Sequence, residues 1–345
     1  MSLPASMRAY QLRPESRVET LAAVRRAVPE AAPGEVLVRV RAASLNARDI
    51  HVLDRVVRGE LAPVIPLSDG AGEVIAVGAG VDPARVGERV VASFFRGWID
   101  GPYRKRYPRT MMGGPVDGVL ADYVALAADA AVPIPDALSD IDASTLPCAG
   151  VTAYHALFGP EALRPGETVL VQGTGGVSVF ALQLAHAAGA VVLATSSSDA
   201  KLAKAVERGA AHVINYRTTP DWVGEVRRLT DGRGVNHVVD VTGDLAASVD
   251  CLAAGGHVAV VGASFATSEQ DTTEIVPRSI IWSGVVLRGL FVGSARMLAD
   301  LMQAVVANGI KPVVDRVLPM DDAKAAYEGL IEAKHFGKIV IDLTV

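Results

Sequence analysis

Two cysteines in 345 residues, Cys148 and Cys251, are too few for a disulfide framework. They also exclude the four closely spaced thiolates of a structural zinc site. Both read as reduced, buried thiols, which suits a cytosolic protein. Aromatic residues reach only 5% against 50% hydrophobic residues overall, a balance that fits a buried parallel sheet and Ala-rich helices. A long apolar run is missing too. Charges, Gly and Pro interrupt every apolar segment short of the roughly 20 residues that span a bilayer, so no membrane association is expected. Met1–Leu12 carries Arg8 and lacks the apolar core of a signal peptide. Charge of one sign is not in excess either: the net charge is −5 and the basic run near residue 105 is brief, which argues against nucleic acid. No internal repeat or low-complexity linker appears.

What is present centres on Glu167-Thr-Val-Leu-Val-Gln-Gly-Thr-Gly-Gly-Val-Ser178. An apolar run, Val169–Val171, breaks into the cluster Gly173, Thr174, Gly175, Gly176, and Val177 opens an amphipathic segment with Val179, Leu182, Ala185 and His186 at helical spacing. Strand, tight turn and helix in that order bring backbone N–H groups and the positive end of a helix against a pyrophosphate. Ser178 stands where many dinucleotide folds carry a third glycine, so the helix must approach its strand differently. An ordinary strand-to-helix turn is the plainer alternative.

The next apolar run, Val191–Thr195, follows about twenty residues after the glycines, as a crossover requires. It ends in Ser196, Ser197 and Ser198 rather than in the carboxylate that would bind the ribose 2′-hydroxyl of NAD. Asp199 reads as the N-cap of a helix over 200–208, and Lys201 lies in its first turn. Hydroxyl donors beside a cation suit a 2′-phosphate, which favours NADP(H); a serine-rich loop with a solvated lysine is the alternative. Further apolar strands are expected at 212–216, 237–243, 256–262 and 285–292, with helices near 221–230, 246–253 and 274–281 between most of them. Short strands alternating with helices mean an α/β fold with a doubly wound parallel sheet. Ligands bind at the carboxyl ends of such strands, which points to Gly243, Gly262, Ala263, Ser264, Phe291, Val292 and Gly293 as cofactor-lining positions or plain turn residues.

Residues 1–130 differ: short β-like runs at 7–12, 35–42, 71–77, 89–92 and 118–124 are punctuated by Gly, Pro and Asp, as in a β-barrel-like domain with few helices. From about 296 a helix, a strand (316–319), a helix (320–334) and a last strand (338–342) form a separate piece. This order fits a catalytic domain built from 1–135 and 296–345, interrupted by a nucleotide domain over 136–295. Between Phe94 and Arg109, Phe94, Phe95, Trp98 and Tyr103 are interleaved with Arg96, Arg104, Lys105 and Arg106. That segment reads either as a substrate lid with an apolar wall and a basic rim, or as an aromatic-stabilised surface loop.

The motifs Ser44-Leu-Asn-Ala-Arg-Asp49, Ser68-Asp-Gly-Ala-Gly-Glu-Val74, Val86-Gly-Glu-Arg-Val90, Leu146-Pro-Cys-Ala-Gly-Val-Thr-Ala-Tyr154, the glycine turn and His335-Phe-Gly-Lys-Ile-Val340 resemble the medium-chain dehydrogenase/reductase superfamily. The likeness is to its zinc-independent, quinone-reductase-like and alcohol-dehydrogenase-like branch, over nearly the whole length. It implies a GroES-like catalytic domain holding an inserted Rossmann domain, NAD(P)H-dependent hydride transfer and a homodimer. It places Asn46 and Thr152 beside the nicotinamide as donors to the carboxamide or to substrate oxygen, and adds Tyr216 and Lys338 to the cofactor contacts. Zinc-bearing relatives have cysteine at Asn46, histidine at Ser68, and cysteine or Asp at Cys148; one thiol cannot build a three-ligand site, so no zinc is expected. Without that Lewis acid, acceptors that delocalise charge, namely quinones and enones, are the expected substrates. His51, where such relatives often carry a relay histidine, would instead favour alcohols, aldehydes and ketones. An NADP(H)-binding protein without turnover is the third reading.

Overall fold

The computed structural model describes residues 3–262 and 277–345; Ala263 and Ser264 lie outside the described residues. The strands are β1 Ser6–Tyr10, β2 Ala23–Ala27, β3 Glu35–Ser44, β4 Asp69–Val77, β5 Arg89–Ala92, β6 Tyr123–Ala127, β7 Ala131–Pro133, β8 Thr168–Gln172, β9 Val191–Ser196, β10 Ala210–Asn215, β11 Val235–Asp240, β12 Leu252–Val260, β13 Val286–Gly289, β14 Val314–Pro319 and β15 Lys338–Asp342. The helices are α1 Arg48–Val57, α2 Asp140–Ser144, α3 Val151–Phe158, α4 Gly176–Ala187, α5 Asp199–Glu207, α6 Trp222–Leu229, α7 Leu245–Asp250, α8 Pro277–Ser283, α9 Ala295–Ala307 and α10 Ala323–Ile331. They form two compact units, Met1–Val151 with Val292–Val345, and Thr152–Phe291.

In the first unit the main sheet runs β14-β15-β3-β4-β5-β7, and β6 also pairs with β3. Period-2 alternation turns Val36, Val38 and Val40 inward, against Val74, Val90, Leu126 and, from the far end of the sequence, Tyr327, Ile339 and Ile341. Each such side chain contributes roughly 1.5–3 kcal/mol by leaving water. β15 pairs antiparallel with β3 and sets Val340 against Ser44, and Leu45 donates its N–H to the Ile339 carbonyl at 3.1 Å. That register carries the start of β15 to the residues just after β3.

Two expectations shift here. The strand expected over 118–124 lies at β6 instead, because the backbone of Gly118 approaches too closely: a Cβ there would stand 2.0 Å from the Leu67 carbonyl oxygen. Residues 118–120 bond as a packed loop to Ile65, Pro66 and Leu67. The domain with few helices also contains α1, whose buried face is Arg48, Asp49, Val52, Leu53 and Val56. Its two buried charges hide the apolar stripe from a pattern search.

The second unit is a six-stranded parallel sheet in the order β10-β9-β8-β11-β12-β13. Chain order reverses between β8 and β11, which makes the carboxyl ends of these two strands the topological switch point of a Rossmann fold. Leu170, Leu193, Val238 and Val258 fill its core. β11 stops at Asp240, short of the expected 243. The Asp240 carboxylate accepts the N–H groups of Thr242 at 2.9 Å and Gly243 at 2.8 Å, an Asx turn that ends the strand.

Candidate active site

The glycine turn follows β8 directly. Gly173 has φ +72, a left-handed conformation that glycine takes without strain. Gly175 caps α4 with φ −75, so its backbone accommodates any residue, and a Cβ would meet nothing within 4 Å. Local structure therefore does not require a glycine at 175, and the space beside it is open. No side chain caps α4, which leaves N–H groups at its first turn to an anion. Ser178 is buried and donates its hydroxyl to the Gln172 carbonyl at 2.7 Å, tying helix to strand where a third glycine would otherwise allow contact. By contrast Gly262 is a packing requirement, since its Cβ would stand 2.1 Å from the Val241 carbonyl oxygen.

At the end of β9, Ser196 is buried and its hydroxyl accepts the Ser198 N–H at 3.3 Å. The N-cap of α5 is Ser198, whose hydroxyl faces the Lys201 N–H at 3.4 Å. Asp199 is the first helical residue instead of the expected cap, and its carboxylate accepts from the Asn215 amide at 2.6 Å. Tyr216, at the end of β10, gives its N–H to the Ser196 carbonyl at 3.2 Å. Ser196, Ser198, Lys201 and Tyr216 thus share one corner. Sequence reasoning missed the polar group at the switch point: Gln172 bonds Ser248 and Thr242, and Asp240 shapes the Gly243 turn. The run Asp240-Val-Thr-Gly243 was its available signal.

The first unit assembles a second cluster. Lys338 opens β15 and is 3% exposed; its ammonium donates to the Leu45 carbonyl and to Asn46 Oδ1, both at 2.5 Å. The Asn46 N–H is held by Asp49 Oδ2 at 2.7 Å. Asp69 accepts from the Ser68 hydroxyl at 2.5 Å and from the Cys148 N–H at 3.0 Å. Arg48 contacts Asp49 at 3.5 Å, donates to the Met112 carbonyl at 3.1 Å and stacks 4.9 Å above the Phe94 ring. Burial pushes the Asp49 carboxyl up to about 6, against the pull of Arg48 and of the Asn46 N–H. Burial also pulls the Lys338 ammonium below its usual range, opposed by Asp69, Cys148 and Asp49. Asn46 Nδ2 is among the buried atoms that lack a hydrogen-bond partner, as is the hydroxyl of Tyr327, which lies within electrostatic reach of Asp49 and Arg48.

These residues do not suit zinc. Asn46 Oδ1 is engaged by the Lys338 ammonium and the Ser68 hydroxyl by Asp69, which leaves Cys148 as one thiol where a catalytic zinc needs three ligands. Among the described residues no group of three or more His, Cys, Asp or Glu is placed to hold a metal ion.

The remaining candidates are placed as follows. Phe94, Phe95 and Trp98 are at most 1% exposed and pack on one another and on Tyr107, with Trp98 stacked on it at 5.4 Å. The Trp98 and Ile99 carbonyls accept the N–H groups of Ala295 and Arg296, so the segment is pinned in place. Arg96 is committed to Glu35 and the Ala125 carbonyl. His51 is half-buried on α1, and burial lowers its pKa against the opposing effect of Asp54. Thr152 is buried on α3. Val292 holds φ +56, a costly conformation for a β-branched residue that tends to persist at functional sites.

The comparisons agree with this architecture. Residues 32–136 match the alcohol dehydrogenase GroES-like domain model, and 176–307 match the zinc-binding dehydrogenase model. A zinc-type alcohol dehydrogenase-like protein of Schizosaccharomyces pombe is 43% identical over 318 residues, 90% of this chain and 91% of that one. The chain belongs to the medium-chain dehydrogenase/reductase superfamily. A second relative, the zinc-type alcohol dehydrogenase-like protein YogA of Leptosphaeria maculans, is 31% identical over 91% of this chain and 92% of its own length. Among solved structures, an NAD-dependent alcohol dehydrogenase superposes with TM-score 0.86 at 34% identity, covering 98% of this chain and 100% of that one. A mycobacterial protein complexed with NADPH superposes with TM-score 0.77 at 26% identity, covering 98% and 100%. The chain is thus an oxidoreductase of this superfamily, and no helix among its described residues is long and apolar enough to cross a membrane.

Proposed function

We propose that this medium-chain dehydrogenase/reductase is a zinc-independent, NADPH-dependent reductase that delivers hydride to a quinone or to an enone. The observation that carries the reading is the orphan donor Asn46 Nδ2, buried on a carboxamide whose oxygen is already taken by the Lys338 ammonium. A buried amide N–H without a partner costs about 1–3 kcal/mol, a cost removed when a ligand oxygen accepts from it. Conjugated acceptors need that much help and little more, because conjugation spreads the charge that develops on oxygen.

NADPH fits the nucleotide unit through the open space at Gly175, the first turn of α4 and the hydroxyl corner of Ser196, Ser198, Lys201 and Tyr216. The Asp199 carboxylate, which would repel a 2′-phosphate, is turned to Asn215. The solved relatives include both an NAD-dependent and an NADPH-bound protein, and the hydroxyls and lysine of this corner favour NADPH. When bound, the nicotinamide supplies the hydride. In the first unit Asn46 would then orient the carboxamide or substrate oxygen, with Val292 and Gly293 offering backbone to the cofactor; in the nucleotide unit Thr152 would supply a hydroxyl donor, with Gly243 and Phe291 offering backbone. Phe94 shapes the acceptor site by stiffening Arg48, with Phe95 and Trp98 packed behind it. A second reading, alcohol and ketone interconversion, rests on His51: its lowered pKa keeps the imidazole neutral near pH 7, ready to accept a proton.

Two exposed side chains on α8, Ile281 at 78% and Trp282 at 76%, just before the sheet-edge strand β13 in the chain, support a homodimer, which light scattering would show. The two cysteines form no disulfide, which fits a cytosolic setting. The test is an NADPH oxidation panel of quinones, enones and aldehydes on metal-analysed protein. Turnover of quinones or enones by zinc-free enzyme supports the reading. Stoichiometric zinc, or turnover of alcohols alone with loss in His51→Gln, rejects it.

A further inference from the structure

A lysine ammonium has three donors and no acceptor. Whichever amide atom of Asn46 faces Lys338 Nζ must therefore be the oxygen, and the two orientations of a carboxamide are not equivalent here. With Oδ1 on the ammonium, Nδ2 points the other way, buried and unpartnered. The backbone beneath is fixed as well: Asp49 holds the Asn46 N–H, and Leu45 is bonded both to Lys338 Nζ and to the Ile339 carbonyl. Gly337 allows the lysine to enter at this point, with φ +85 and no room for a Cβ beside the Val313 carbonyl oxygen, 2.3 Å away. The cluster is balanced, with Lys338 and Arg48 set against Asp49 and Asp69.

We propose that Lys338 is a positioning residue: its buried ammonium locks the Asn46 carboxamide so that Nδ2 is presented as the hydrogen-bond donor to the oxygen that gains charge during hydride transfer. The proposal rests on the function proposed above, and extends it by assigning to an internal cation the orientation of an amide donor to that oxygen. Lys338 acts through Asn46 and does not touch the acceptor.

The test has a structural arm and a kinetic arm. The chain has four asparagines, so selective 15N-asparagine labelling gives few side-chain amide pairs, and Asn46→Ala identifies the relevant one. Lys338→Met is expected to shift or broaden that pair, and Lys338→Arg, which retains the charge, to preserve it. Kinetically, Asn46→Asp keeps an acceptor for the ammonium but loses the donor; kcat should fall about 100-fold, as for loss of one oxyanion donor, with NADPH affinity unchanged within about threefold. Lys338→Met should lower kcat about tenfold or more in the native background, and less than about threefold once Asn46 is alanine, because residues acting as a unit are not additive. An unmoved Asn46 resonance, or an equal kcat loss with and without Asn46, overturns the proposal. Should Lys338→Met fail to fold, Lys338→Arg decides: loss of the native Asn46 resonance pair in a folded charge-retaining variant also overturns it. Absence of turnover with every acceptor rejects the function proposed above, whereas the resonance arm still decides the positioning role.

Discussion

Replacing Lys201 with alanine tests the choice of cofactor directly. Lys201 lies three residues into α5, where the Ser198 hydroxyl faces its N–H at 3.4 Å, and its side chain is partly buried. A unit charge about 4 Å from a phosphate is worth roughly 1 kcal/mol in water and roughly 4 kcal/mol at an effective dielectric of about 20. A partly exposed lysine sits between those limits and is screened by salt, so the loss should be about 1–3 kcal/mol. That corresponds to a rise of about 5- to 150-fold in Kd for NADPH. NADH lacks the 2′-phosphate, and its Kd should change less than about threefold by the same arithmetic. Titration of nicotinamide fluorescence with both cofactors, at low and at high salt, reads the four constants. The NADPH penalty should shrink at high salt, where the Debye length approaches about 3 Å near 1 M. Equal losses for both cofactors, or a penalty indifferent to salt, would refute a 2′-phosphate contact at this corner.

Three further outcomes are expected. Gly175→Ala should leave thermal stability within about 0.5 kcal/mol of the parent, because its Cβ enters open space, yet weaken NADPH binding tenfold or more by roughly 1.4 kcal/mol; stability loss without binding loss would assign the glycine to the fold. His257, buried beside Glu161, His237 and Arg288, is held down to about 4, chiefly by burial. Its unfolded form protonates below about 6.5 while its folded form does not, so stability present above that pH is lost as pH falls towards 4, by about 2 kcal/mol at pH 5; urea titrations at pH 7.5 and 5 should show that difference shrink in His257→Gln. Trp98→Ala should cost about 3–5 kcal/mol, since its ring is 1% exposed and stacked on Tyr107; a change below about 1 kcal/mol in denaturant midpoint analysis would mean the aromatic segment is not core.

The nucleotide unit was legible because its signals are local. A strand, a glycine turn and a helix lie within twenty residues, and parallel strands buried on both faces read as unbroken apolar runs. The serine corner was legible for the same reason, apart from the exchange of Ser198 for Asp199 at the cap, where two adjacent good cappers compete. The polar cluster around Asn46 was only half legible. Asn46 and Lys338 were each singled out, but nothing local joins residues 292 positions apart, and a buried ion network has no period to detect. The aromatic segment left two readings open for a different reason: aromatics mixed with arginines look alike whether they line a cleft or stack on each other, and it is tertiary contacts that show Phe94, Phe95 and Trp98 packed together and buried. The positive φ of Val292 carries no sequence signal, since a β-branched residue is the least expected there.

The pairing of β15 with β3 has a consequence for synthesis on the ribosome. Asn46 leaves the exit tunnel long before Lys338, and at about 5–20 residues per second the interval is about 15–60 s. During that time the Rossmann unit can finish folding, while residues 42–44 of β3, beyond the stretch paired with β6, still lack β15 and two buried acids lack one of their two cations. Unpaired edges of this kind invite association with other chains. β15, made long after β3, is therefore the strand that both pairs with Ala42–Ser44 and completes the charge balance of the Asn46 cluster in a single step. A nascent chain stalled before residue 338 would bind nucleotide yet carry an unfinished catalytic unit, a state that chaperones could recognise by its free strand edge.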